Sequence, residues 1–74
     1  MIPVLKTVNP ATLNFAQAIL KEAGIEHFVM DQNMSLVEGS IGIIPRRLMV
    51  IDEDGPAAVR ALELAGLEED VYRA

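Results

Sequence analysis

One pattern occurs twice in this chain. Leu20-Lys21-Glu22-Ala23-Gly24-Ile25-Glu26, with Val29 beyond it, matches Leu62-Glu63-Leu64-Ala65-Gly66-Leu67-Glu68, with Val71 beyond that. The shared scheme is Leu-x-x-Ala-Gly-aliphatic-Glu-x-x-Val. A glycine just past an apolar, helix-spaced run is the residue that takes a left-handed conformation and stops a helix. Two readings of the repetition stay open. Either two helices share the same stop chemistry, or a β-α-β half is used twice, as in ferredoxin-like folds. The second reading makes Val71-Tyr72-Arg73 a short fourth strand.

The rest of the layout follows from local chemistry. Asn9 can cap free N–H groups and Pro10 fits the first helical position, where its missing N–H costs nothing. Leu13, Ala16, Ile19, Leu20 and Ala23 then recur at helical spacing, which predicts a helix over 10–23. A second helix is predicted over 55–65, striped by Ala58, Ala61, Leu62 and Ala65. Asp52-Glu53-Asp54 stand at its start, where the helix dipole favours carboxylates. Strands are predicted at Ile2 to Val8, at Ile25 to Asp31, and from near Arg46 to Ile51. The expected fold is α+β: a two-layer, ferredoxin-like βαββα sandwich with both helices on one face, in a single domain spanning 1–74.

Leu48-Met49-Val50-Ile51 is a run of four large apolar residues, so the third strand presents hydrophobes to both faces of its sheet. In the second strand, Phe28 and Met30 likewise face away from Ile25 and Val29. Two helices cover only one face. Contiguous apolar patches beyond a few hundred Å² rarely stay exposed, so the other face needs a cover. Either a second subunit packs there, or the apolar residues Met34, Leu36, Val37, Ile41, Ile43 and Ile44 fold back over it. A single core in a chain below roughly 70–80 residues supplies only about 3–5 kcal/mol. With no cysteine, 74 residues cannot add a disulfide or a thiolate metal site. Self-association, as a dimer, is the remaining staple, with Phe28, Met30, Met49 and Ile51 as its surface.

Charge and composition narrow the function. Eleven acidic residues against six basic give a net charge of −5, and two Phe, one Tyr and no Trp provide no stacking platform. Nucleic acid is therefore not an expected partner. No apolar run approaches the roughly 20 residues of a spanning helix, and the N-terminus lacks the pattern of a signal peptide. The expected compartment is the cytoplasm, with no membrane partner. A lone His27 makes no multi-histidine metal site, and no cofactor is expected.

The stretch Asp31-Gln32 … Gly39-Ser40-Ile41-Gly42 … Pro45-Arg46-Arg47-Leu48, set within the layout above, resembles a small prokaryotic family of signal-transducing-protein domains of unknown function. The resemblance covers nearly the whole chain. It implies a fold similar to that of the nitrogen-regulatory PII proteins and a regulatory role, with no catalytic residues to carry over. In PII proteins the loop between the second and third strands contacts partners. Segment 32–45 holds the equivalent topological place, although this chain lacks the much longer loop.

Several residues are candidates for a contact. Asp31, Gln32, Asn33 and Ser40 gather polar groups beside Gly39 and Gly42, and Arg46 and Arg47 add two cations. The arginines suit either an acidic neighbour in the chain itself (Asp31, Glu38 or the carboxylates at Asp52 to Asp54), which is the favoured reading, or a small anion or partner carboxylate. The other reading of the polar cluster, and the favoured one, is ordinary turn chemistry, in which Asn, Asp, Ser and Gly satisfy their own backbone. Neighbouring strand residues point to opposite faces, so the arginines are not one clamp. His27, without an oriented partner, reads as structural. The leading reading is a self-associating regulatory or adaptor module that binds a protein or small anionic ligand through 32–45. The alternative is a small-molecule enzyme with Asp31, Ser40 and Arg46 or Arg47 gathered at a subunit interface.

Overall fold

The computed structural model describes residues 1–31 and 45–72. Its elements run in the order β1 (Ile2–Thr7), α1 (Pro10–Glu22), β2 (Phe28–Asp31), β3 (Arg46–Val50) and α2 (Gly55–Leu64), with a single 3₁₀ turn at Asp52–Asp54 before α2. The fold is α+β, a three-stranded antiparallel sheet with two helices, compatible with a small ferredoxin-like sandwich.

Each helix end follows from the residues placed there. The Asn9 side chain accepts hydrogen bonds from the Ala11 N–H at 2.8 Å and the Thr12 N–H at 3.4 Å. Pro10 then starts α1. At the other end Gly24 adopts φ +76°. The Ile25 N–H donates to the Leu20 carbonyl at 2.9 Å and the Gly24 N–H to the Lys21 carbonyl at 3.0 Å. This is the Schellman pattern, in which a left-handed residue lets two amides close the last turn. α2 repeats it. Gly66 has φ +88°, with Leu67 N–H to Leu62 carbonyl at 3.0 Å and Gly66 N–H to Glu63 carbonyl at 3.0 Å.

The repetition extends into the sheet. Strand order is β1-β3-β2, and Val71 adds an antiparallel bridge to Leu5 on the outer edge of β1. The bridge is held by Lys6 N–H to Asp70 carbonyl at 3.1 Å and Tyr72 N–H to Val4 carbonyl at 2.9 Å. Val29 pairs with Leu48, which pairs with Leu5, which pairs with Val71. The two valines of the repeated pattern thus hold equivalent places on opposite sides of the central strands. Both readings of the repeat apply: the stop chemistry is shared, and each half delivers its valine to a sheet edge. The expected fourth strand is one bridge at Val71, and Arg73 lies outside the described residues.

Both helices pack on the same side. Val4, Leu5, Leu48 and Val50 from the sheet form one core with Leu13, Ala16 and Leu20 of α1 and Ala58 and Leu62 of α2, closed by Val71. A register shift between Pro3 and Leu5 inserts Val4 as an extra residue, so consecutive Val4 and Leu5 are both fully buried. Thr7 is the one buried polar residue among those described, and its hydroxyl oxygen accepts from the Asn9 N–H at 3.1 Å. The same threonine therefore closes β1 and orients the cap of α1.

Some boundaries differ from expectation. Residues 25–27 are not strand, because Ile25 completes the Schellman turn and the chain needs three residues to reach the sheet edge. Ala23, expected in the apolar stripe, is exposed at the helix cap. Asp52-Glu53-Asp54 form a separate turn, and the helix proper begins at Gly55. Val8 and Ile51 fall just beyond their strands.

Candidate functional site

One face of the sheet carries neither of the described helices. Alternation along β3 sends Leu48 and Val50 into the core, so Arg47 and Met49 point the other way. Their partners across the ladders fix the rest. Met49 stands between Pro3 on β1 and Phe28 on β2, making an apolar row. Arg47 stands between Lys6 and Met30, making a second row with two cations side by side. Ile51 continues the alternation past the end of β3.

Four large apolar side chains of this face or its rim are well exposed: Phe28 at 49%, Met30 at 45%, Ile51 at 38% and Tyr72 at 37%. Met49, Pro3 and Arg47 are half-buried by their neighbours. Phe28, Met30, Met49 and Ile51, the residues expected to form an association surface, therefore lie together on one open face. Val29 faces the helix side but remains 37% exposed, because β2 is the sheet edge.

The polar candidates are not gathered in the same way. Arg46 and Arg47 lie on opposite faces, as alternation requires. Arg46 is exposed across from Thr7 and Asp31, and Arg47 lies on the open face. Asp31 ends β2 opposite Arg46. Gln32, Asn33 and Ser40 lie outside the described residues, as do the apolar residues Met34 to Ile44. His27 Nδ1 lies 3.1 Å from the Ile25 carbonyl, a hydrogen bond when that nitrogen carries the proton. That ties the imidazole to the turn before β2. Among the described residues, no three His, Cys, Asp or Glu cluster as a metal site would need.

Sequence reasoning did not single out Pro3, Lys6 or Tyr72. For Pro3 and Lys6 the signal was present as alternation along β1, but the extra residue at Val4 breaks the count of two. Tyr72 follows buried Val71 and so turns outward. At the far end of the sheet the Met1 ammonium meets Asp52 Oδ1 at 2.8 Å. The helix-free face is thus basic at the Lys6–Arg47 end and apolar across its middle.

No described helix is long and apolar enough to cross a membrane. A family model described as "Putative prokaryotic signal transducing protein" matches residues 1–66. No curated protein matches the chain.

Proposed function

Because this chain belongs to the "putative prokaryotic signal transducing protein" family, we propose that it is a cytoplasmic regulatory module that acts by self-association through the open face of its sheet. The observation that carries this reading is the row Pro3–Met49–Phe28 with exposed Ile51 and Met30 beside it. Large apolar side chains on a face that neither described helix covers lose unfavourable contact with water when a second layer packs over them. A small core also gains stability by mass action when its folded form binds another copy. The polar residues Asp31, Gln32, Asn33 and Ser40 are the sequence basis for a further contact with a protein partner or small anion.

Sedimentation equilibrium tests the reading. The wild-type chain is expected to sediment as a dimer at micromolar concentration. Met49→Glu, which puts a charge at the centre of the face without touching the core, is expected to sediment as a folded monomer. A wild-type monomer at high micromolar concentration would overturn the proposal.

A further inference from the structure

Resting on that self-association reading, we infer that Lys6 and Arg47 together hold a small oxyanion carrying two charges, such as a phosphate group, and that filling this site tightens the dimer. Lys6 follows Leu5 and Arg47 precedes Leu48, and the two leucines face each other in the core. Alternation therefore turns both cations to the opposite side of the sheet. They are directly paired across β1 and β3, which sets their Cβ atoms about 4.5–5.5 Å apart. Among the described residues, neither forms an ion pair.

Like charges directly opposite each other destabilise a sheet. A fold that keeps such a pair with no carboxylate beside it breaks a local rule, and such breaks are expected at functional or strained sites. None of the described strand residues on this face is acidic; Lys6 and Arg47 share it with Pro3, Phe28, Met30 and Met49. Arg47 is half-buried between Lys6 and Met30. Partial removal from water strengthens its attraction for an anion.

The residue types select the ligand. The guanidinium's planar fork matches two oxygens of one anion, and the ammonium adds a compact second charge. Eleven acids against six bases leave the chain at a net charge of −5. A polyanion or an acidic protein therefore meets repulsion around this pair, and a small anion meets far less. The link to self-association is desolvation. Whichever way two copies lay these faces together, the strands of each bring two cations and no carboxylate, and covering an unpaired charge is costly. An anion held between Lys6 and Arg47 removes that cost, so its binding favours the dimer.

Isothermal titration calorimetry with inorganic phosphate tests the site. Sedimentation equilibrium in phosphate and in chloride at matched ionic strength tests the link, since screening is then the same in both. The wild type is expected to bind phosphate, and its dimer dissociation constant to fall at least about threefold when phosphate replaces chloride. Lys6→Gln and Arg47→Gln are each expected to weaken phosphate binding at least about tenfold and to abolish the phosphate dependence of the dimer. In chloride both should dimerise at least as tightly as the wild type, because less unpaired charge is covered. Arg60→Gln removes the same charge from an exposed position on α2 and is expected to change nothing. Circular dichroism confirms the fold of each variant, and the wild-type measurements stand even where a variant fails to fold. A wild type that takes up no phosphate, or phosphate binding that falls equally in Arg60→Gln, overturns the anion site and leaves self-association intact. A dimer that binds phosphate without tightening overturns the link. A wild-type monomer that binds phosphate through Lys6 and Arg47 overturns self-association and leaves the site.

Discussion

Gly55 lies beneath the end of the Ile2 side chain. A Cβ built at position 55 would come 2.5 Å from Ile2 Cδ1. The glycine also precedes Pro56 while holding helical angles, φ −53° and ψ −55°. A residue with a Cβ is pushed out of that region by the following proline ring. The first turn of α2 can therefore sit directly against β1. Because Cδ1 is the far end of a flexible side chain, Ile2 must change rotamer to admit the added Cβ. Gly55→Ala is expected to destabilise by about 0.5–1.5 kcal/mol, although alanine is the better helix former. Ile2→Val removes Cδ1, so the double variant should lose less than the sum of the singles in a urea-denaturation cycle. What remains measures the proline effect.

Leu20 is fully buried, and its carbonyl closes the Schellman turn at Ile25. Leu20→Ala keeps that carbonyl and removes only core volume. The expected loss is about 2–5 kcal/mol by chemical denaturation. In a domain of this size such a loss leaves a large unfolded fraction at room temperature.

Gly24 separates conformation from space. A Cβ there would touch nothing within 4 Å, yet φ is +76°. Gly24→Ala is therefore expected to cost about 1–2 kcal/mol from the left-handed backbone alone. Gly24→Asn should cost less, because asparagine tolerates that region. Melting temperatures of the two variants give the order. Gly66, at +88° with equally open surroundings, should repeat it.

Asn9→Ala removes the acceptor for two amides at the head of α1. The expected loss is about 0.5–2 kcal/mol. Asn9→Asp or Asn9→Ser should restore most of it in the same denaturation assay, since each supplies an oxygen at the same reach.

The parts legible in the sequence are those decided by a few adjacent residues. Asn9-Pro10 and the two Ala-Gly pairs mark helix ends because caps are local chemistry. The run Leu48 to Ile51 announced two apolar faces, but which residues faced outward depended on where the helices packed. Ile25 was read as strand because it is β-branched and apolar; its place in the Schellman turn needed the hydrogen bond to Leu20 to be seen. The register shift at Val4 left no mark in residue type, and it hid Lys6 from the open face. Alternation alone put Phe28, Met30, Met49 and Ile51 on one side of the sheet. Gln32, Asn33 and Ser40 lie outside the described residues.

The position of β1 has one more consequence. It lies between β3 and the bridge at Val71, and both neighbours come later in the chain. A cut anywhere between Thr7 and Arg46 therefore leaves β1 on one fragment and both of its neighbours on the other. The C-terminal fragment would hold an empty slot, lined by Leu48 on one side and Val71 on the other. For a cut just after Thr7, which keeps α1 and β2 with the larger piece, a synthetic peptide carrying Ile2 to Thr7 is the matching insert, and the molecule lends itself to reconstitution from two pieces by strand complementation.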